Sequence, residues 1–421
     1  MENGIPVLTL HSMKTFQIPH IYRSPLISAI KQKRRAADKM KKDFTPALLD
    51  FGPIRIYLAR HFGFCYGVEN AIDIAFRTIE ENPDKNIFLL SEMIHNPQVN
   101  KDLEDRGVRF LQSTGGRQMI PFSELQPGDI VITPAFGTSL EIDALLKSKG
   151  IHTEQYNTTC PFVEKVWNRS GQIAEKNFTV IIHGKPGHEE TRATFSHAAA
   201  GGPVIVIRDM EEAVLLASFI RHEKDPALFF ETFKNRYSKG FDPVKDLERI
   251  GVVNQTTMLA SETQGIADFL RQTIQQMQGS PEQEKDAVFA DTRDTLCYAT
   301  NDNQSAVAAM LQTTADIAIV AGGYNSSNTS HLVELCEQQL PTYFISSERK
   351  LLSENEILHF DLHQHQEILK NDYLKGNDPL KILITSGASC PDAIVESIIN
   401  RLLEFYPESR SVESVIKELH S

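Results

Sequence analysis

Short apolar runs alternate with amphipathic stretches along most of the chain. Six runs rich in Ile, Val and Leu each lead into a loop of small polar residues, and the pattern then returns to the spacing of a helix face. The six runs are Ile54–Leu58, Ile130–Thr133, Phe178–Ile182, Ile250–Val253, Ile317–Ala321 and Ile382–Thr385. Strands that alternate with helices form parallel sheets covered by helices, so the pattern predicts an α/β fold.

Unusual polar residues collect in the loops that follow these strands. In parallel sheets, ligands bind at the carboxyl ends of the strands, beside helix N-termini whose unpaired N–H groups and positive dipole suit phosphate. No G-x-G-x-x-G opens a helix after a strand and no G-x-x-x-x-G-K-[ST] occurs, so neither a Rossmann dinucleotide site nor a P-loop is supported. We therefore expect one site shared by several loops.

Length and charge narrow the class of protein. A chain of 421 residues is too long for one ordinary core, and two or three domains are expected. The net charge of -12 argues against nucleic acid or an anionic membrane as a partner, so an anionic substrate would need local groups to bind it. No run of apolar residues approaches the length of a membrane span. Residues 226–248 show no clear period and are predicted to be an insertion.

The first 50 residues differ from the rest. They lack the apolar core of a signal peptide and carry a basic run, Lys31–Lys42. We interpret this run as the solvated face of a helix on an ordered extension, with a nucleic-acid patch as the alternative. A cytoplasmic location is expected.

Five cysteines form a sparse and odd-numbered set, which argues against a disulfide framework. Cys65, Cys160 and Cys297 each lie in a loop before a helix, and about one small α/β unit separates each from the next. They are either buried single thiols or three ligands that converge on one metal centre. Cys336 has apolar neighbours at helical spacing and is predicted to lie in the core. Cys390 is either a small loop residue or a fourth ligand.

Eight short motifs occur in an order that resembles one known family, the LytB-type 4-hydroxy-3-methylbut-2-enyl diphosphate reductases. The motifs are Phe62–Ile72, Ile94–Pro97, Asn157–Val166, Gly187–Thr194, Asn254–Thr257, Thr295–Thr300, Asn325–Asn328 and Gly387–Asp392. The resemblance runs from about Arg23 to Arg401, and the N-terminal extension resembles the longer plant and cyanobacterial branch. Eight ordered motifs are far more specific than any one of them.

The resemblance implies a fold and a cofactor. Three small pseudo-symmetric α/β domains with mostly parallel sheets would form a trefoil around a central cavity. Each would give one cysteine, Cys65, Cys160 or Cys297, to a single [4Fe–4S] cluster, which would leave one iron open. The expected divisions are an extension at 1–52, domains at 53–160, 161–290 and 291–405, and a tail at 406–421.

The family's activity is the last step of the non-mevalonate isoprenoid pathway. An allylic diphosphate loses its hydroxyl and gives isopentenyl and dimethylallyl diphosphate, with ferredoxin or flavodoxin as the expected electron donor. Matched by motif, the residues that would bind the diphosphate are His95, His188, Ser326, Ser327, Asn328 and Ser389. Glu190 would supply protons, with Thr256 beside it and against the substrate. Burial near negative charge should raise the pKa of Glu190.

One position departs from the shorter bacterial members, which have a phosphate-binding histidine where this chain has Phe136. The longer branch resembles this chain there, so the diphosphate contacts on that side must differ. Two other functions stay open from the sequence. One is an iron–sulfur protein that only transfers electrons, with Cys390 as a fourth ligand, and the other is a hydrolase that uses a Cys/His pair.

Overall fold

The computed structural model describes residues 16–40, 42–278, 288–290, 295 and 297–420. The first α-helix of the described chain is α1 (Pro25–Ala37). The Ser24 side chain caps it by accepting the N–H of Ile27 at 2.9 Å. One face of α1 is buried, while Lys31 on the other side forms a salt bridge of 2.7 Å with Asp392. Residues 31–37 of the basic run therefore lie on an ordered helix, as predicted, whereas Lys41 lies outside the described residues. Strands β1 (Ala47–Asp50) and β2 (Ile54–Leu58) follow.

The first α/β unit contains a three-stranded parallel sheet in the order β4-β3-β5. Its elements are α2 (Tyr66–Glu81), β3 (Ile87–Leu89), α3 (Pro97–Glu104), β4 (Arg109–Phe110), β5 (Ile130–Ile132) and α4 (Leu140–Ser148). Strands β3 and β5 are buried throughout, because helices cover the sheet. The loops after these two strands carry His95 and Phe136.

The second unit has the same plan, with a parallel sheet in the order β7-β6-β8. Its elements are α5 (Pro161–Glu175), β6 (Thr179–His183), α6 (Glu189–Ala199), β7 (Val204–Ile207), α7 (Met210–Ile220), α8 (Phe229–Thr232), β8 (Ile250–Asn254) and α9 (Ala260–Gln278). All residues of the three strands are buried. The loops after β6 and β8 carry Glu190 and Thr256.

Residues 226–248, which the sequence predicts to be an insertion, pack into the core of the second unit. Phe229, Phe233 and Phe241 are buried in the same hydrophobic core as the strands of the second unit. Phe229 and Phe241 stack with ring centroids 5.1 Å apart. The segment shows no extended helical or strand period because its one α-helix, α8, is only four residues long, and aromatic side chains make its core contacts.

The third unit contains a five-stranded sheet in the order β1-β2-β13-β9-β10, in which only the β1–β2 pair is antiparallel. Its remaining elements are α10 (Tyr298–Met310), β9 (Ile317–Ala321), α11 (Ser327–Glu337), β10 (Thr342–Ile345), β11 (Glu356–Asp361), β12 (Gln366–Asn371), β13 (Leu380–Ser386), α12 (Asp392–Glu404) and α13 (Val412–His420). Strands β11 and β12 form a separate antiparallel hairpin.

Sheet membership differs from the expected division of the chain in one respect. Ile54–Leu58 was placed in the first domain, yet it pairs with Leu380–Ser386 in the third sheet. The apolar run predicts a buried strand but does not encode its partner, which lies more than 300 residues away. The other expected boundaries stay predictions, and the boundary at 290/291 falls at the edge of the described residues. The α/β class, with three units around one cavity, is confirmed.

No helix in the described ranges combines the length and the apolar character that crossing a membrane requires.

Candidate functional site

One cavity lies where the loops of the three units meet. Ten of the eleven residues predicted for the site line it. They are Cys65, His95, Cys160, Glu190, Thr256, Cys297, Ser326, Ser327, Asn328 and Ser389. The eleventh, His188, lies behind His95, with the two Nε2 atoms 3.1 Å apart. Every one of these residues follows a strand or begins a helix, so the shared site expected at the carboxyl ends of the sheets is present.

The three lining cysteines occupy equivalent places. Each immediately precedes a helix, Cys65 before α2, Cys160 before α5 and Cys297 before α10. Backbone N–H groups two and three residues further on act on each sulfur and lower the pKa of its thiol. These amides belong to Gly67 and Val68, to Phe162 and Val163, and to Ala299 and Thr300. Three helix N-termini therefore offer sulfur the same electrostatic support.

Burial outweighs that support and raises the pKa of all three thiols. It raises the pKa of Cys65 to about 12, with the nearby Cys297 sulfur as the next cause. Burial also raises the pKa of Cys160, and the sulfurs of Cys65 and Cys297 add to the effect. Each thiolate would thus repel the others, and the set can ionise together only with a positive group between them.

A single metal ion does not fit these side chains. Within the part of the chain that the structure describes, no three His, Cys, Asp or Glu side chains converge closely enough to hold one ion. Cys336 and Cys390 are both fully buried, and neither is among the residues that line the cavity. The prediction that Cys336 belongs to the core is confirmed, and Cys390 is a buried loop residue in this structure.

Glu190 and Thr256 form a pair at the cavity wall. Thr256 donates its backbone N–H to Oε1 of Glu190 at 2.5 Å and its hydroxyl to Oε2 at 2.9 Å. Only 1% of Glu190 is exposed, and burial raises the pKa of its carboxyl to about 7 even though both bonds from Thr256 lower it. The expected direction of the shift is confirmed, and desolvation is its main cause. Glu190 can therefore exchange a proton near neutral pH.

The imidazoles of His95 and His188 form a second pair, packed against Phe136. The ring of Phe136 stacks on His95 with centroids 4.3 Å apart, and it meets His188 edge-on at 5.5 Å. Burial and the neighbouring His95 hold the pKa of His188 well below its usual range. Phe136 donates no hydrogen bond, so it contributes ring packing to the histidine pair and leaves hydrogen bonding to the ring nitrogens.

The N-terminus of α11 forms another part of the cavity wall. Ser326 caps this helix by accepting the N–H of Thr329 at 3.3 Å, and Ser327 and Asn328 form its first turn. Asn328 accepts the N–H of Ala388 at 2.9 Å. The positive end of a helix and a row of hydroxyl and amide groups make this wall suitable for an anion.

Ser389 tightens the contact between the third unit and the first. Its hydroxyl donates to the backbone oxygen of His95 at 3.1 Å. A Cβ atom at Gly323 would lie only 2.3 Å from the same oxygen, so this backbone approach requires glycine. The two residues set the distance between the wall that carries α11 and the histidine pair.

Two neighbours of the site were missed by sequence reasoning. Glu189 was overlooked because the sequence offers two consecutive carboxylates and does not show which one faces the cavity. Gly67 was seen only as part of a motif, although it approaches the sulfur of Cys160. Of the motif Thr295–Thr300, Leu296 lies outside the described residues.

Known proteins resemble this chain over most of its length. The family model described as "LytB protein" matches residues 56–403. A curated 4-hydroxy-3-methylbut-2-enyl diphosphate reductase from Picosynechococcus sp. is 42% identical over 352 residues, which cover 83% of this chain and 84% of the relative. The reductase of the same name from Thermosynechococcus vestitus is 40% identical over 365 residues, with 86% and 87% covered.

Solved structures show the same fold. The structure of the E-1-hydroxy-2-methyl-but-2-enyl-4-diphosphate reductase from Plasmodium falciparum superposes with a TM-score of 0.60 at 23% identity. The match covers 85% of this chain and 90% of that one. A structure described as the terminal enzyme of the non-mevalonate pathway gives a TM-score of 0.50 at 24% identity, over 83% and 99%. The match to the family model and the curated relatives, over most of both chains, is decisive: this chain belongs to the LytB family of 4-hydroxy-3-methylbut-2-enyl diphosphate reductases.

Proposed function

We propose that the chain reduces (E)-4-hydroxy-3-methylbut-2-enyl diphosphate to isopentenyl diphosphate and dimethylallyl diphosphate. Two electrons and two protons enter, the allylic C–O bond breaks, one C–H bond forms and water leaves. The observation that carries the proposal is the meeting of three cysteines from three parts of the chain with a protonatable carboxyl and a helix N-terminus around one cavity. The curated relatives bear the name of this activity.

Cys65, Cys160 and Cys297 are the residues that we assign to a [4Fe–4S] cluster. The donor set fits, because three buried thiols that repel one another as thiolates are stabilised by a cationic centre, and because their helix amides suit charged sulfur. A cluster binds each thiolate to a different iron, which agrees with side chains that do not converge on one ion. When bound, such a cluster delivers electrons one at a time and offers one iron without a protein ligand as a Lewis acid.

The diphosphate is assigned to the space between α11 and the histidine pair. Ser326, Ser327 and Asn328 lie at the positive end of the helix, and Ser389 lies beside them on the cavity wall. His95 and His188 approach from the other side. Neutral donors and a helix dipole can hold a strongly charged group in a protein whose net charge is -12.

Glu190 is assigned as the proton donor. It lines the cavity with Thr256, whose two hydrogen bonds fix the orientation of both carboxyl oxygens. A carboxyl whose pKa lies near 7 is partly protonated at neutral pH and can release its proton to the departing hydroxyl. Thr256 also lines the cavity and can contact the substrate directly.

The reaction needs an external source of electrons. From the resemblance to the family, we assign this role to a small one-electron carrier such as ferredoxin or flavodoxin. Five cysteines without a disulfide are consistent with a reducing compartment, and we place the reaction in the cytoplasm.

The test is an anaerobic assay of the iron-loaded protein with an artificial one-electron reductant and the allylic diphosphate. We expect both five-carbon diphosphates as products and a change in cluster absorption when substrate is added. A brown protein whose absorption spectrum does not change when substrate is added would instead be an electron carrier. A colourless protein that hydrolyses a substrate would be a cysteine hydrolase.

A further inference from the structure

Glu189 is buried beside the histidine pair and has no part in the proposed chemistry. It is only 6% exposed, and among the described residues none makes a well-aligned hydrogen bond with either of its oxygens. Its Oε2 lies 4.0 Å from Nε2 of His95. Glu189 lines a second, larger cavity, whereas the adjacent Glu190 lines the first. A buried carboxyl with so little hydrogen bonding is costly, so this one calls for an explanation.

The hydrogen bonds of the histidine pair fix where their protons lie. Nδ1 of His188 accepts the N–H of Glu190 at 3.2 Å, so the proton of this neutral ring lies on Nε2. That Nε2 donates to Nε2 of His95 at 3.1 Å. Nε2 of His95 therefore accepts and carries no proton in this arrangement. A diphosphate that enters between α11 and the pair finds one donor on His188 and none on the facing nitrogen of His95.

Glu189 is the acid that lies close enough to protonate Nε2 of His95. Burial raises the pKa of its carboxyl to about 8, the Ser91 side chain and Arg192 lower it, and Glu92 raises it, so the neutral form predominates at neutral pH. The other carboxylate near His95 is Glu92, whose Oε2 lies 3.6 Å from Nδ1 and which is one-third exposed. Phe136 covers a face of the His95 ring, which leaves its nitrogens as the atoms that can exchange protons.

We propose that Glu189 supplies the proton that turns His95 into a cationic donor for the diphosphate. When the anion separates the two imidazoles, the proton moves from Oε2 of Glu189 to Nε2 of His95, and the carboxylate formed is left beside Arg192. Water in the second cavity returns a proton to Glu189 after the product leaves. The inference rests on the proposed diphosphate site. Glu189 acts through His95, so it is a positioning residue.

The direct test is infrared difference spectroscopy of the cluster-loaded protein with inorganic pyrophosphate as the probe. In a Glu190→Gln background, which removes the signal of the other protonated carboxyl, the carbonyl band of a neutral carboxyl should disappear when pyrophosphate binds. The same band should be missing once Glu189→Gln is added. In protein with ¹⁵N-labelled histidine, one ring should become doubly protonated on binding, and only when Glu189 is present.

Affinity gives the second readout. Glu189→Gln should weaken pyrophosphate binding by about tenfold, because a charge-assisted hydrogen bond becomes a neutral one. Glu92→Gln is the matched control, and it should keep both the band and most of the affinity. A band that persists on binding, or a Glu189→Gln protein that binds as tightly as its parent, overturns the inference and leaves the diphosphate site standing. Failure of the unmodified protein to bind pyrophosphate removes the proposed site and this inference with it.

Discussion

Gly67 approaches Cys160 so closely that a Cβ atom at position 67 would lie 2.5 Å from the Cys160 sulfur. Gly67 belongs to the first turn of α2, and its own N–H also faces Cys65. Gly67 thus lies against two of the three cavity cysteines, Cys65 and Cys160. Its lack of a side chain keeps the space between the two sulfurs open.

Gly67→Ala is predicted to displace the Cys160 sulfur and to impair cluster binding. The Cβ atom of Cys160 also lies only 3.1 Å from the added atom, so the Cys160 side chain must shift to make room for it. We expect less iron and sulfide per chain after anaerobic reconstitution, measured chemically and by visible absorption.

The matched control for that variant is Gly171→Ala on helix α5. An added Cβ there meets nothing within 4 Å, and alanine favours a helix over glycine by about 0.5–1 kcal/mol. The control should reconstitute fully and unfold at a slightly higher temperature. Equal iron content in the two variants would contradict a steric role for Gly67.

Glu190→Gln should keep the cluster and lose turnover. The amide cannot donate an acidic proton, and general acid catalysis contributes roughly 10²–10⁴-fold to a rate. The visible spectrum should match that of the unmodified protein, while kcat falls by at least about 100-fold. Glu211→Gln, on an exposed position of α7, is the control and should change neither quantity. Full activity in the Glu190→Gln variant would contradict the assignment of Glu190 as the proton donor.

Activity should depend on pH through the same carboxyl. Glu190 must be protonated to act as an acid, and burial raises its pKa to about 7, so kcat should fall as the pH rises through this value. Thr256→Val removes a hydroxyl that stabilises the charged form, which raises the pKa of Glu190 further. The falling limb of the pH profile should therefore move to higher pH. A limb that stays in place would mean that another group controls it.

Phe136→Ala should weaken substrate binding more than it slows the chemistry. Loss of the stack on His95 frees that ring, and an aromatic contact of this kind contributes about 0.5–1.5 kcal/mol, or roughly a 2–10-fold rise in KM. Phe136→His is the matched variant, because it keeps a flat ring and adds a donor. Its KM should be no higher than that of the unmodified protein, and kcat should change little in both. A loss confined to kcat would contradict this role.

Local features of the fold were readable from the sequence because short-range chemistry determines them. Cys65 was predicted to lie in a loop before a helix, and it is the N-cap residue of α2. The loops at strand ends were identified by their small polar residues, and these loops do meet at one cavity. Long-range pairing was not readable, since nothing in Ile54–Leu58 encodes its partner in β13.

The residues of the site can also be divided into those that the sequence identified and those that only the folded chain shows. Three cysteines before three helices left a shared centre as one of two interpretations, and the resemblance to the family favoured it, whereas Glu189 and Glu190 could not be told apart in sequence. Consecutive residues on a helix point about 100° apart, so one carboxyl faces the cysteines and the other faces the second cavity. That difference in direction, and the burial that raises the pKa of both carboxyls, exist only in the folded chain.

The most direct test of the account is the iron and sulfide content of five single cysteine variants after anaerobic reconstitution. Cys65→Ser, Cys160→Ser and Cys297→Ser should each lose the cluster or hold it poorly. Cys336→Ala and Cys390→Ala should keep about four irons per chain, the stoichiometry of a [4Fe–4S] centre. Full iron content in any of the first three variants, or its loss in Cys390→Ala with normal folding, would contradict the assignment of the three cavity cysteines as the ligands.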